Sequence, residues 1–265
     1  MNTILEKQLF LFDLDGTLYR EDEPIGNAIK TLEKLRKAGK KIGYITNNSS
    51  RTGEEYVKRL QNIGFWQEGD FVYSALDSAV DYILEKRREK KILAICTKQV
   101  FNYLQTTGLN FVNEDNCSNV DDVLITFDKE LNYKKIQIAN DWLVRGAFYM
   151  VTHPDTVCPT KGIAIPDLGS FINMFKTSSG RMPDICLGKP ESYMANFISQ
   201  KTGIPKNKMV MVGDRLKTDI LFANNSGFTS VLVLSGVTDK KMASKSKIKA
   251  DFILQDVNCF AQIFN

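Results

Sequence analysis

Residues 9–17 read LFLFDLDGT, and this stretch decides the fold. Four apolar residues run directly into Asp13, and a second acid, Asp15, stands before Gly16. A short apolar run that ends in turn-forming residues is typical of a strand buried on both faces in a parallel sheet. Because ligands bind at the carboxyl ends of such strands, the stretch predicts a site at Asp13 and Asp15. For two acids and a glycine alone, a hydrophilic turn without function is the alternative.

The order of the elements around this stretch predicts an α/β protein with a central parallel sheet. Residues 9–64 read as strand, helix, strand and helix, which is the order of parallel βαβ units. Residues 77–182 also alternate strands and helices, but no strand there ends in a pair of acids, so we interpret them as an inserted α/β domain. The core is then formed in two parts, 1–76 and 183–265. The Pro- and Gly-rich loop 153–169 is expected to lack regular structure.

Composition narrows the class of protein. The chain has 265 residues, 43% hydrophobic and 25% charged, as in an ordinary globular protein. A net charge of +4, with the lysines of 240–249 read as a solvated face, does not suggest a nucleic-acid partner. Five scattered cysteines without a CxxC pair indicate reduced thiols, and no apolar segment resembles a signal peptide or a membrane span. We therefore expect a cytoplasmic protein without a membrane partner.

Polar side chains at the ends of several predicted strands suggest one shared site. Besides the two acids of DLDGT, they are Thr46, Asn47, Lys189, Asp214 and Asp219. Converging carboxylates repel each other unless a cation neutralises them, and oxygen ligands favour Mg²⁺. A lysine, a hydroxyl and an amide suit the oxygens of a transferring phosphoryl group. One acid can attack phosphorus while the other carries a proton, although the sequence order does not say which acid does which.

The same motifs resemble a known superfamily. DLDGT, TNNS, GKP and GDRLKTD, in that order, resemble the four motifs of the haloacid dehalogenase (HAD) superfamily. An insertion between the second and third motifs is similar to the class II cap of some members. TNNSSRT, LGKP, VGDRLKTDI and VLSGVT resemble the NagD-like subfamily, which includes para-nitrophenyl phosphatases. The resemblance implies a HAD-like Rossmannoid core with an inserted α/β cap domain, and relatives assemble as homodimers or larger homo-oligomers.

The resemblance also implies a role for each acid. Asp13 would be the nucleophile and Asp15 the general acid and base. Mg²⁺ would be held by the Asp13 carboxylate, the backbone carbonyl of Asp15 and Asp214, with Asp219 supporting the metal indirectly. Because superfamily members without the second acid do not protonate an alkoxide in this way, Asp15 favours a phosphatase or a phosphomutase.

Other positions are expected to contact the substrate. By the resemblance, Thr46 and Asn47 would bind the phosphoryl oxygens, and Lys189 would neutralise the nucleophile and the phosphate. His153 stands in THPD where many relatives have TNxD, and it is either a solvated or packing histidine or a residue that faces the substrate or a subunit contact.

For each of three basic residues, the sequence is compatible with two roles. They are Lys161, Arg181 and Arg215. For Lys161 and Arg181 the alternatives are surface charge and contact with a second anionic group of the substrate. For Arg215 they are structural pairing and adjustment of the metal site.

The predicted function is a Mg²⁺-dependent phosphatase that acts on a small phosphorylated metabolite through an aspartyl-phosphate. A domain over the strand ends would exclude water and hinder macromolecular substrates. A phosphotransferase or phosphomutase with the same chemistry is the main alternative. A receiver-like signalling domain fits poorly, because receivers lack an inserted domain, and an inactive homologue is disfavoured because no catalytic position is missing.

Overall fold

The computed structural model describes residues 2–160 and 162–264. The chain divides into two compact units. The core unit contains the residues up to Thr46, Gly53–Tyr73 and the residues from Lys189 onward, and the insert unit contains Asn47–Thr52 and Ser74–Gly188. Nothing in the sequence pattern marks Asn47–Thr52 as part of the insert unit. The domain limits expected from the sequence, at 77 and 182, stay a prediction.

The strands and helices alternate along most of the chain. The strands are β1 (Leu9–Phe12), β2 (Tyr19–Arg20), β3 (Glu23–Pro24), β4 (Lys41–Thr46), β5 (Phe71–Ser74), β6 (Ile92–Ile95), β7 (Phe111–Val112), β8 (Asp122–Ile125), β9 (Phe148–Val151), β10 (Val157–Cys158), β11 (Ile165–Pro166), β12 (Ile185–Cys186), β13 (Met209–Gly213), β14 (Thr229–Val233) and β15 (Phe252–Leu254). The α-helices are α1 (Asn2–Leu5), α2 (Ala28–Lys37), α3 (Gly53–Ile63), α4 (Ala75–Lys86), α5 (Lys98–Gln105), α6 (Tyr133–Val144), α7 (Leu168–Ser179), α8 (Tyr193–Thr202), α9 (Leu221–Ser226), α10 (Lys240–Lys245) and α11 (Phe260–Ile263). Two 3₁₀ turns (Lys206–Lys208 and Val257–Cys259) and one π-helical turn (Leu216–Ile220) complete the described elements.

The core unit is built on a sheet with the strand order β15-β14-β13-β1-β4-β5. Strand β1 lies between β13 and β4 and pairs with both in parallel, so that Phe12 is opposite Val212 on one side and Tyr44 on the other. All four residues of β1 are buried. The prediction of a buried parallel strand is confirmed, and with it the α/β fold class. The residues that follow β1, β4 and β13 emerge at the same edge of the sheet, because these strands run in the same direction.

The insert unit has its own parallel sheet, with the order β12-β9-β8-β6-β7. Its first helix, α4, begins with a capping box: Ser74 Oγ accepts a bond from the Asp77 backbone N–H at 3.2 Å, and Asp77 Oδ2 accepts one from the Ser74 N–H at 2.8 Å. The sequence S-x-x-D therefore fixes the start of the unit locally. In residues 2–160 and 162–264, no helix has the length and apolar character that crossing a bilayer requires.

Two short hairpins were not expected. The prediction that 153–169 lacks regular structure is wrong in part, because β10 and β11 pair there, with Val157 opposite Pro166. A second hairpin, β2–β3, follows DLDGT directly. Two-residue strands are too short to show alternation of polar and apolar residues, so their sequence resembles a loop. Pro166 is compatible with pairing at a strand edge.

A buried ion pair stabilises the insert unit. The Lys135 ammonium donates to Asp128 Oδ2 at 2.7 Å and to the backbone oxygen of Cys96 at 2.7 Å. The side chains of Lys135 and Asp128 are 7% and 0% exposed. Removing one partner of such a pair is costly, because it leaves the other charge buried without compensation.

We expect Lys135→Met to lower the free energy of unfolding by about 3–5 kcal/mol, measured by urea denaturation. Lys134→Met is the matched control: the neighbouring Lys134 pairs with Asp115 at 2.5 Å, but the two side chains are 58% and 68% exposed. A pair so exposed contributes little to stability. Equal stability losses in the two variants would contradict this prediction, and Lys135→Met/Asp128→Leu is expected to recover part of the loss.

Candidate active site

The DLDGT loop is a tight turn at the carboxyl end of β1. The Asp13 backbone N–H donates to the Val212 oxygen at 2.9 Å, which extends the pairing of β1 with β13 by one residue. The Leu14 oxygen then accepts a bond from the Leu18 N–H at 2.9 Å, which closes the turn. Gly16 has a φ of 87°, in the left-handed region that glycine adopts at little cost. The loop thus places Asp13 at the end of the strand.

Three acids converge beside this strand end. Asp13, Asp214 and Asp219 each contribute a carboxylate oxygen to a group whose members lie within 4.8 Å of one another. Burial, and then the charge of Asp219, raise the pKa of Asp214 to about 6. Burial also raises the pKa of Asp13 well above its usual range; the charge of Lys189 opposes this shift, and the charges of Asp219 and Asp214 add to it. The cluster is therefore a place where negative charge is costly without a cation.

Lys189 supplies one positive charge to this cluster. Its ammonium donates to Asp13 Oδ1 at 2.6 Å and to Asp219 Oδ1 at 2.7 Å, and its side chain is only 1% exposed. Burial lowers the pKa of Lys189, but the charges of Asp13 and Asp219 and their hydrogen bonds outweigh burial, so the net shift is upward. Lys189 is therefore held charged between the two acids.

Asp219 positions Lys189. Its second oxygen, Oδ2, accepts a bond from the Arg215 backbone N–H at 3.0 Å, while Oδ1 accepts from Lys189. Asp219 also packs so closely on Gly213 that a Cβ at that position would overlap with its carboxylate. Both oxygens already accept hydrogen bonds, which agrees with the expected indirect support of a metal better than with direct ligation.

Asp214, unlike Asp219, does not have hydrogen-bond partners for both carboxylate oxygens among the described residues. Its Oδ2 accepts a bond from the Val237 N–H at 2.6 Å, but its buried Oδ1 has no hydrogen-bond partner among residues 2–160 and 162–264. A buried acceptor without a partner costs free energy, and a bound cation would satisfy it. A hard divalent ion such as Mg²⁺ prefers carboxylate oxygens. The residues present therefore fit a magnesium ion, with Asp13 and Asp214 as the carboxylate ligands.

The loop after β14 also contributes to the site, although no site residue is predicted in it from the sequence. Ser235 Oγ donates to the Gly16 oxygen at 2.8 Å, so this loop supports the DLDGT turn. The Thr238 N–H donates to the Asp214 backbone oxygen at 3.2 Å. In the sequence, SGVT directly follows a predicted strand, a position that it shares with Asp13 and Asp214 and that could have identified it.

The Asp15 side chain is separate from the three clustered acids. It is 47% exposed, and its Oδ1 lies 3.9 Å from Arg59 Nη2. The expected ligation by the Asp15 backbone carbonyl stays a prediction. The structure therefore brings together the carboxylates of three of the four residues predicted at the metal site and leaves the side chain of the fourth, Asp15, beside an arginine.

The two phosphate-binding candidates fall in different units. Thr46 is the last residue of β4 and is buried in the core unit. Asn47 opens the insert unit, where its Nδ2 donates to Asp155 Oδ2 at 2.9 Å. Gly188 allows this packing, since a Cβ there would stand 2.7 Å from Asn47 Oδ1. Their binding roles stay predictions.

His153 is not solvated. Its side chain is 0% exposed, and its Nδ1 and Nε2 lie 3.6 Å from Asp155 Oδ2 and from Asp167 Oδ1. Its ring also meets Phe127 edge-on, with 6.5 Å between the ring centroids. The histidine therefore packs inside the insert unit between two acids.

The remaining basic candidates differ in their surroundings. Arg181 forms an ion pair with Asp184 at 2.9 Å, which supports a structural role. The charge of Arg215 lowers the pKa of Asp214, although burial raises it more. Lys161 lies outside the described residues.

Comparison with known proteins agrees with this geometry. Residues 10–110 match the family of haloacid dehalogenase-like hydrolases, and residues 186–259 match a HAD-hydrolase-like family. The chain is 29% identical to phosphoglycolate phosphatase 1A, chloroplastic, of Arabidopsis thaliana, over 96% of this chain and 76% of that protein. In structure it is similar to a 4-nitrophenylphosphatase from Thermotoga maritima, with a TM-score of 0.94, 34% identity and 99% of each chain covered. It is also similar to a glycerol phosphate phosphatase from Mycobacterium tuberculosis in complex with magnesium, with a TM-score of 0.89, 26% identity, and 98% of this chain and 78% of that chain covered.

The chain therefore belongs to the haloacid dehalogenase-like hydrolases. Within that family it is a member of the subfamily of NagD and the 4-nitrophenylphosphatases. Its enzyme class is phosphoric monoester hydrolase. The family, the fold and the enzyme class expected from the four motifs are confirmed.

The crowding around Asp214 gives a test of the metal site. A Cβ on Gly236 would overlap with the Oδ2 atom and the carboxyl carbon of Asp214 and lie 2.7 Å from its Cβ. Gly236→Ala must therefore displace Asp214, and we expect it to weaken Mg²⁺ binding by about 10–100-fold, the usual effect of changing a residue that orients a metal ligand.

The measurement is the rise of the unfolding midpoint with Mg²⁺ concentration, which does not depend on activity. Gly162→Ala is the control, because among the described residues, the chain neighbours of Gly162 apart, no atom lies within 4 Å of a Cβ there. Unchanged Mg²⁺ affinity in Gly236→Ala would show that Asp214 does not hold the metal.

Proposed function

We propose that this protein is a Mg²⁺-dependent phosphatase that hydrolyses small-molecule phosphomonoesters through an aspartyl-phosphate on Asp13. The observation that carries the proposal is the buried Lys189 ammonium, 2.6 Å from Asp13 Oδ1, in a cluster where Asp214 Oδ1 lacks a hydrogen-bond partner among the described residues. The structure of the similar glycerol phosphate phosphatase in complex with magnesium supports the choice of metal.

The residues of the cluster divide the first step between them. Asp13 attacks phosphorus with one carboxylate oxygen, and the bond from phosphorus to the leaving-group oxygen breaks. Lys189 keeps positive charge beside Asp13 and so favours its ionised, nucleophilic form, against burial, which favours the neutral one. Bound Mg²⁺ would supply further positive charge to the acids and to the phosphoryl oxygens. Asp214 and Asp13 would hold it, and Asp219 would orient Lys189.

Asp15 suits the proton transfers. Its side chain is half-exposed and lies outside the acid cluster, so it can exchange a proton with the leaving group and with water. It gives its proton to the leaving oxygen as the ester bond breaks. It then takes a proton from the water that attacks the aspartyl-phosphate, which releases inorganic phosphate and restores Asp13.

The substrate class is proposed from the relatives. They are named as phosphatases of phosphoglycolate, of 4-nitrophenyl phosphate and of glycerol phosphate. All three substrates are small monoesters, and we propose the same class here. The first experiment is a phosphate-release screen over small phosphomonoesters with Mg²⁺. Assembly as a homo-oligomer and a cytoplasmic location stay predictions.

We expect Asp13→Asn to lower kcat for phosphate release by about 10⁴-fold or more, since an amide cannot act as the nucleophile. Asp115→Asn is the control, because that carboxylate is 68% exposed and pairs with Lys134 in the insert unit. Retained circular dichroism would show that the variant keeps its fold. Near-normal turnover in a folded Asp13→Asn protein would refute the mechanism.

The intermediate can be detected directly. We expect acid quenching of the working enzyme, followed by borohydride reduction, to convert residue 13 to homoserine, as an acyl phosphate requires. Hydrolysis in ¹⁸O-water should place one solvent oxygen in each released phosphate. Phosphoryl groups found on an added alcohol, without solvent oxygen, would favour the phosphotransferase instead.

A further inference from the structure

We propose that Arg59, on helix α3 of the core unit, is a positioning residue for the proton transfer by Asp15. This inference rests on the proposed function, because it assigns Arg59 a part in the same reaction. Residue 59 carries no motif, and a helical arginine is usually a solvated surface residue. Its contacts show a different environment.

The Arg59 guanidinium makes four contacts with the segment that follows Asp13. Its Nε donates to Asp22 Oδ1 at 2.9 Å, and its Nη2 donates to the Glu21 backbone oxygen. Its Cζ stands 4.7 Å from the centroid of the Tyr19 ring. Its Nη2 also lies 3.9 Å from Asp15 Oδ1. One side chain therefore touches both ends of the segment from Asp15 to Asp22.

This segment needs an external support. Strands β2 and β3 have two residues each, and a hairpin of that size is not stable by itself. Glu21, in its turn, has a φ of 57°, a left-handed conformation that costs a residue with a Cβ about 1–2 kcal/mol. The bond from Arg59 to the Glu21 oxygen holds this turn on a regular helix of the core.

The hairpin in turn determines where Asp15 lies. Asp15 forms an isolated parallel bridge with Tyr19, and the Gly16 N–H donates to the Tyr19 oxygen at 2.8 Å. The Tyr19 ring is buried, and the guanidinium of Arg59 lies over it. A change at Arg59 would therefore reach Asp15 by two routes, through the backbone of the hairpin and through the nearby charge.

The Arg59 contacts differ from an ordinary surface salt bridge. The Arg59 side chain is 21% exposed, and it combines charge, two directed hydrogen bonds and an aromatic contact. At 3.9 Å, Arg59 Nη2 lies beyond hydrogen-bond distance of Asp15 Oδ1, so its influence on Asp15 is through charge and through the hairpin. Its effect is to hold Asp15 in place before the proton moves.

The leaving group distinguishes this role from simple stabilisation. An alkoxide needs a proton as it departs, whereas 2,4-dinitrophenolate leaves without one. We compare kcat/KM for glycerol 3-phosphate and for 2,4-dinitrophenyl phosphate, because kcat/KM reports the steps up to leaving-group departure and not the later hydrolysis of the intermediate. We expect Arg59→Gln to lower kcat/KM about 10–100-fold for the alkyl ester and less than about 3-fold for the aryl ester. Damage to the fold would lower both values together.

Three further variants complete the test. Lys58→Met is the control, because the adjacent Lys58 is 66% exposed and pairs with Glu54; it should leave both values unchanged. Arg59→Lys keeps the charge but loses the two-armed hold on Asp22 and Glu21, and we expect it to show the same selective loss in a smaller degree. In an Asp15→Asn background, Arg59→Gln should add almost nothing to the loss for the alkyl ester.

Each outcome decides the question. Equal losses for the two esters, or additive losses with Asp15→Asn, would overturn the role of Arg59 while leaving the proposed mechanism intact. A normal kcat/KM for the alkyl ester in Asp15→Asn would instead overturn the proton-transfer role of Asp15, and the inference about Arg59 with it. A selective, non-additive loss supports both.

Discussion

The site depends on one buried charge, the ammonium of Lys189 between Asp13 and Asp219. With all groups ionised, the three clustered acids and Lys189 carry two net negative charges, which is the charge that a divalent cation neutralises. Buried charges persist only when they are paired. The same arrangement that makes the cluster unfavourable alone fits a divalent cation, which would bring the complementary charge, and the proposed Mg²⁺ could also accept an oxygen ligand from a phosphoryl group.

The sequence made the position of the clustered acids predictable because each follows a buried strand or lies one turn beyond it. Asp13, Thr46 and Asp214 all end strands that run in the same direction, so parallel pairing alone brings them to one edge. Lys189 stands 176 residues after Asp13, and both its position after a short predicted strand and its motif indicated that it belongs there. In such a fold, the distance along the chain matters less than the position at a strand end.

Other parts of the site could not be predicted from their position at the end of a strand. The Val237 N–H contributes through its backbone, which no residue type reveals. Arg59 lies inside a helix, where charged residues are common on the solvated face, and its partners belong to a hairpin too short to leave a pattern. Asn47 was grouped with Thr46 by its motif, yet its amide is held by Asp155 of the insert unit. Such contacts depend on the tertiary structure and become visible only with it.

The two acids of DLDGT lie in two different environments within one short loop. Asp13 is 15% exposed and bonded to Lys189, whereas Asp15 is 47% exposed and lies beside Arg59. Each carboxylate thus has its own cation, one in direct contact and one at a distance. Direct contact with Lys189 favours the ionised form of Asp13, against burial, which favours the neutral one, and the charge of Arg59 lies near Asp15 without a hydrogen bond to it. Only Leu14 stands between the two acids, in a tight turn, so the spacing of the acids matters as much as their identity.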